Sequence, residues 1–148
     1  AALGAGAMAA ATADTWSTEV GTRWGGTPRH ILRLTRLPKG ASGGITLVGS
    51  AAAVGGALLT SAVARGVQFD VGAAAIVAGG LSGAFADSVL GATVQERRWC
   101  DTCGVSTERQ VHTCGAGTRV SGGLGRFDND AVNFTSIGIG ALVTCLLS

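Results

Sequence analysis

Charge is scarce in this chain. Asp, Glu, Lys and Arg make up 14% of its 148 residues, against roughly 25% in an ordinary soluble domain. The charges that remain nearly cancel, to a net +2. So small an excess argues against nucleic acid as a partner, because that contact is made largely by Lys and Arg on phosphates. No basic stretch precedes the apolar run Ala1 to Ala13, so this run is not read as a signal peptide. Nor is there a G-x-x-x-x-G-K-[ST] stretch, which excludes a Walker A loop.

What the chain has in quantity is glycine, 25 residues of it, together with a mean hydropathy of +0.41. The glycines have no collagen-like spacing and lie with alanine inside apolar runs. Small residues of this kind let transmembrane helices approach closely, since packing drives their association in lipid. Four apolar segments follow, with helices expected at about 1–19, 44–65, 71–95 and 131–148. The run from Gly44 to Ala64 would be about 31 Å long as a helix, matching a bilayer core of about 30 Å. A soluble Ala/Gly core is the bland alternative, and the spanning length of the runs argues against it. The first segment is shorter, and the chain starts at Ala1, so further helices are expected upstream in the full-length protein.

The loops at about 22–43 and 96–130 carry ten of the eleven Lys and Arg residues, five each. Two helices separate these loops, which puts both on one side of a membrane. The positive-inside rule makes that side cytoplasmic. The expected architecture is an all-α, multi-pass transmembrane helix bundle in a prokaryotic plasma membrane, forming one domain with a small Cys/His loop on the cytoplasmic side.

The polar residues gather at that same face. Asp87 lies within the third apolar segment, where a carboxylate costs about 2.5–3.5 kcal/mol on insertion scales. It must face a bundle interior or a wet cavity, with Gly83 and Gly91 one turn to either side. An interhelical hydrogen bond would also explain it. Asp14 and Glu19 end the first helix, and Thr18 shares a face with Asp14. They offer the oxygen ligands that Mg²⁺ takes, or they are an ordinary polar cap. The run Lys39-Gly40-Ala41-Ser42-Gly43-Gly44 leads into the second helix, with Ser42 a candidate N-cap. Its backbone N–H groups could cradle a phosphate, or it is a glycine-rich turn. Arg29, Arg33, Arg36 and Lys39 could hold anions or face lipid headgroups. Asp128, Asn129, Asp130 and Asn133 open the fourth helix.

The loop at 96–130 holds Cys100-x-x-Cys103 and then His112-Thr113-Cys114. Four S and N ligands suit one tetrahedral structural zinc ion. Reduced thiols are the alternative, and a disulfide is disfavoured on a reducing side. Cys145 is expected to pack inside the fourth helix, and His30 to be a solvated loop residue.

Taken in order, Ala13-Asp14-Thr15-Trp16 to Gly21, Pro28-Arg29, Gly40-Ala41-Ser42-Gly43-Gly44, Asp87-Ser88-Val89-Leu90-Gly91-Ala92-Thr93-Val94-Gln95 and Asn129-Asp130-Ala131-Val132-Asn133-Phe134 resemble the motifs of the domain-of-unknown-function-92 membrane family. The resemblance runs from about Gly6 onward. It implies a helical membrane bundle and, from the family's plant branch, kinase action on an isoprenoid monophosphate. The first and third motifs are also similar to those of CTP-dependent lipid kinases and CDP-lipid synthases, although Gly43 stands where those enzymes usually have Glu. On this resemblance Asp14, Asp87 and Asp130 are the expected catalytic residues. Asp14, Glu19 and Asp87 would hold Mg. Arg29, Lys39, Gly40, Ser42, Gly43, Asn129 and Asn133 would hold the phosphates of CTP or ATP. Two other readings stand beside the kinase: a non-catalytic membrane interaction protein with a zinc knuckle, and a small-solute carrier.

Overall fold

The computed structural model describes all 148 residues. Its helices are α1 (Ala2–Trp24), α2 (Leu47–Gly66), α3 (Ala73–Thr93) and α4 (Asn129–Leu146). Five short strands correct the all-α expectation: β1 (Arg29–His30), β2 (Gly44–Ile45), β3 (Arg97–Cys100), β4 (Val105–Thr107) and β5 (Arg119–Gly122). β1 pairs antiparallel with β2, and the other three form a sheet in the order β4-β3-β5. Strands of two to four residues are too short to show a period-2 pattern, so hydropathy reads these stretches as plain loop.

The helices meet backbone to backbone. α1 packs against α2, α3 and α4, and α3 also lies along α4. A Cβ added at Gly79 would sit 1.9 Å from Thr144 Oγ1 and 2.5 Å from Gly140 O. One added at Gly6 would lie 2.4 Å from the same hydroxyl. Only glycine fits where α1, α3 and α4 cross at this depth. Thr144 is fully buried and its hydroxyl lies 3.2 Å from Ala75 O across to α3. The buried apolar groups are mostly alanines, with Ile76 and Val132 the largest fully buried aliphatic side chains.

Large side chains point outward instead. Leu58, Val63, Phe85, Phe134 (82% exposed), Leu142 and Leu146 all lie on the helices' outer surface. In water this arrangement would waste the main driving force of folding. In lipid, tails solvate these groups and small residues make the interior. Cys145 is also exposed, so it faces outward rather than packing inside. α2 and α3, at 20 and 21 residues, are long and apolar enough to cross a membrane.

Caps and turns set where the polar face begins. The expected N-cap of α2, Ser42, is replaced by Thr46, whose hydroxyl accepts from Gly49 N at 2.9 Å. Gly43 has φ +74 and Ile45 belongs to β2, so helix cannot start earlier and Ser42 does not cap it. Asp128 caps α4 through Ala131 N at 3.1 Å. The segment holding β3 to β5 is closed at its base by Leu124 N to Val94 O (2.8 Å) and Glu96 N to Phe127 O (2.7 Å).

Candidate functional site

A cavity of about 140 Å³ opens where the polar ends of the helices meet the loops. Of its 19 lining residues only one is hydrophobic, which sets it apart from the apolar pockets that usually take drug-like ligands. α1 supplies Asp14, Ser17, Thr18, Gly21 and Thr22. Asp14, Thr18 and Gly21 recur about once per turn, so they share one face of the helix. The loop before α2 supplies Lys39, Gly40, Ser42 and Gly43, α3 supplies Asp87, Ser88 and Gly91, and Gln95 follows just past its end. Asn129 comes from the first turn of α4, and Glu108 from the Cys/His segment.

Two glycines make the loop's approach possible. A Cβ on Gly43 would lie 2.5 Å from Ala92 Cβ, and one on Gly91 would lie 3.2 Å from Gly43 N. Gly43 also holds a positive φ of +74, a conformation that favours glycine. The loop therefore lies directly on α3 one turn beyond Asp87. Asp87 lines the cavity, and Ser136 Oγ of α4 lies 3.1 Å from its Oδ2.

The structure brings together Asp14, Asp87, Lys39, Gly40, Ser42, Gly43 and Asn129. It does not bring in the other four. Arg29 is exposed on β1 and its Nη1 donates to Leu34 O at 3.1 Å. The strand turns that side chain away, and Pro28 lines the cavity instead. Glu19 and Asp130 are exposed, and Asn133 offers its carbonyl to Ser136 Oγ at 2.9 Å. Asn129 lines the cavity, and a step of about 100° per residue carries Asp130 off that face.

Two residues were missed. Gln95 is 3% exposed, and its Nε2 is buried with no hydrogen-bond partner. It lies eight residues after Asp87 with Gly91 midway, so helical periodicity could have found it. Glu108 accepts a hydrogen bond from Ser42 Oγ across 66 residues of chain, and no local pattern announces that contact.

The Cys/His segment forms a second centre. The ligand atoms of Cys100, Cys103, His112 and Cys114 all lie within 4.8 Å of one another. Sulfurs bound to zinc at about 2.3 Å lie about 3.8 Å apart across a tetrahedral angle. Cys100 Sγ and Cys114 Sγ are 3.8 Å apart, and His112 Nδ1 is 3.2 Å from Cys114 Sγ. All four cysteines of the chain are free thiols. The His112 hydrogen bond lowers Cys114 to about 6, whereas hydrogen bonding to Cys114 raises Cys103 to about 11. The His112 contact thus favours the thiolate, the form a metal needs. This set can hold a metal such as zinc.

Outward-facing bulk, a small-residue interior and a polar cavity at one end define a helical membrane protein. The chain belongs to the family described as "Integral membrane protein DUF92", which it matches over residues 1–141. It is 31% identical over 157 aligned residues to Protein PGR of Arabidopsis thaliana, covering 97% of this chain and 53% of that protein. It is also 36% identical over 91 residues to an uncharacterized membrane protein of Methanocaldococcus jannaschii, covering 61% of this chain and 38% of that one. The chain thus spans about half or less of the relatives it matches. No solved structure matches it.

Proposed function

We propose that this chain carries the phosphate- and metal-binding site of a kinase that acts on an isoprenoid monophosphate, using CTP or ATP with Mg²⁺. The observation that supports it most is the convergence of Asp14, Asp87, Lys39 and the Gly40 to Gly44 loop on one small polar cavity. Phosphoryl transfer asks mainly for positioning and charge neutralisation, and these residue types supply both. The cavity is smaller than the usual ligand pocket of about 300–1,000 Å³. It suits phosphate groups with a cation, while a nucleoside and a prenyl tail would extend beyond it.

In this reading Asp14 and Asp87 hold Mg²⁺, which supplies charge neutralisation when bound. Lys39, the Ser42 hydroxyl and the N–H groups of the glycine loop take phosphate oxygens. Gln95 Nε2 and Asn129 donate to further phosphate oxygens. An oxygen of the lipid monophosphate attacks the terminal phosphorus of the nucleotide, the bond to the bridging oxygen breaks, and the nucleoside diphosphate leaves. The product is the lipid diphosphate, and no proton need be removed from a phosphate dianion. The cavity would face the cytoplasm, in keeping with the basic loops around it, and the prenyl tail would lie between helices, open to lipid. Zinc would hold the Cys/His segment as a structural ion.

The test is a coupled assay on the full-length protein in nanodiscs, offering phytyl or geranylgeranyl monophosphate with CTP or ATP and Mg²⁺. Asp14→Asn is expected to lower diphosphate formation by at least about 100-fold, the scale of losing one electrostatic stabiliser of the transition state. A folded wild-type protein that forms no product over several prenyl chains and both nucleotides would refute the kinase reading.

A further inference from the structure

We propose that the Cys/His segment is the positioning arm of the cavity: a zinc ion held by Cys100, Cys103, His112 and Cys114 fixes Glu108 as the third carboxylate around a divalent cation bound there. The inference rests on reading the cavity as a cation and phosphate site, and it assigns that site a ligand from outside the helices.

Glu108 follows directly on β4 and precedes His112 by four residues. Its carboxylate reaches out of the segment to accept from Ser42 Oγ, in the middle of the glycine loop. The chain behind it is strapped in place. Thr118 Oγ1 lies 2.6 Å from Arg109 O, Thr118 N donates to Gln110 O at 3.0 Å, and Arg98 Nε donates to Thr118 Oγ1 at 2.8 Å. His112 N donates to Ala116 O at 2.9 Å. Glu108 is therefore held between a paired strand and a metal-ligating histidine. If His112 loses its place in the cluster, Glu108 loses one of its two anchors.

Charge and an orphaned donor indicate what the arm serves. The cavity lining holds three carboxylates, Asp14, Asp87 and Glu108, against a single ammonium, Lys39. A phosphate alone would be repelled there. A hard divalent cation removes the conflict, because it binds carboxylate and phosphate oxygens together. Separately, Gln95 presents a buried Nε2 with no partner. An unmet buried donor is destabilising, and an oxygen of a bound phosphate would satisfy it. The donor calls for a ligand oxygen, and the carboxylates call for a cation with it.

The test is a Mn²⁺ titration followed by electron paramagnetic resonance, on the full-length protein in nanodiscs without nucleotide, with zinc content measured in parallel. Glu108→Gln is expected to weaken Mn²⁺ binding by about tenfold or more while zinc stays at one per chain. Cys114→Ser is expected to lose zinc and weaken Mn²⁺ similarly, and to add little in the Glu108→Gln background, because both act through one carboxylate. Unchanged Mn²⁺ affinity in Glu108→Gln, or strictly additive losses in the double variant, would overturn the proposal. Loss of Mn²⁺ in Asp14→Asn or Asp87→Asn with none in Glu108→Gln would sink the arm and leave the cation site standing. Mn²⁺ affinity untouched by all three carboxylate changes would sink the cation site itself. Glu108→Gln leaves every zinc ligand in place, so it reports on the arm even if Cys114→Ser fails to fold.

Discussion

The helical part and the Cys/His segment are held together by opposite means. Around Gly6, Gly79 and Gly140 the helices touch through backbone, with no room for a methyl group. The segment from Arg97 to Gly122 has almost no interior, and Cys100 is its one fully buried side chain. Its order comes from a short sheet, a strap of hydrogen bonds and four converging metal ligands. The helices therefore fold by shape, whereas the segment relies on hydrogen bonds and on a ligand set that can hold a metal. The polar cavity lies where the two meet, with Ser42 on one side and Glu108 on the other. A site at such a seam can be disturbed from either region independently, and this gives ways to separate the two.

The largest expected effect is on the segment. Stripping metal with a chelator should release amide protection over residues 97–122 while the amides of α2 and α3 stay protected, as read by hydrogen exchange. Structural zinc contributes about 10–16 kcal/mol of apparent binding free energy in small zinc folds, far more than the short sheet could replace. Protection lost equally in the helices would show that the two regions fold as one unit and break the comparison.

The helices should answer to a single carbon instead. Gly79→Ala places a Cβ against Thr144 Oγ1 and Gly140 O, at 1.9 and 2.5 Å. Backbone cannot retreat as a flexible side chain can, so overpacking of about 1–3 kcal/mol is expected. It should appear as a lower thermal midpoint in nanodiscs with zinc content unchanged. Gly138, whose Cβ would meet nothing within 4 Å, is the control, and Gly138→Ala should be near neutral. Equal effects at both positions would show that close contact at Gly79 is not what its glycine serves.

The same contrast decides what could be read from the sequence. Helix positions and the membrane reading follow from long apolar runs, because bilayer thickness fixes the length of a span. Asp14, Asp87 and Ser42 were legible because carboxylates or glycine loops at helix ends stand out against so little charge. The CxxC and His-x-Cys spacing was legible as a ligand set, since that chemistry needs those residue types close in sequence. The contact from Glu108 to Ser42 was not legible, because it depends on how β3 and β4 turn the segment over the cavity. Arg29 and Asp130 were assigned from the motifs they sit in, yet the orientation of β1 and the helical phase of α4 turn them away. Within a motif, neighbouring residues share a location but not a direction.

A smaller effect sharpens the helical side. Thr144→Val keeps the shape and removes a hydroxyl 3.2 Å from Ala75 O and 3.1 Å from Gly140 O. Both carbonyls lie within helices, so neither is left wholly unmet. A cost of about 0.6 kcal/mol is expected, the average for side-chain hydrogen bonds between membrane helices. Thermal unfolding should place it well below Gly79→Ala. A cost as large as that of Gly79→Ala would mean that hydrogen bonding holds this crossing as much as shape does.

The smallest effect lies at the base of the segment. Glu96 accepts from Arg126 N at 2.6 Å and from the Arg98 guanidinium. The Arg126 N–H, then the Arg98 side chain, hold its carboxyl below the usual carboxylate range. The folded state then binds fewer protons than the unfolded state between the two pKa values. The stabilisation is full above the ordinary Glu pKa of about 4.3 and fades as pH falls through the lower folded value. Acid also protonates the metal ligands, so wild type alone would mix the two causes. The informative quantity is the difference between wild type and Glu96→Gln in hydrogen exchange at Arg126, measured as pH is lowered. The variant should be less protected near neutrality, and the gap should close in acid. A gap that stayed constant with pH would mean that Glu96 holds the base of the segment by shape, and that the closure at Val94–Leu124 and Glu96–Phe127 is set by backbone alone.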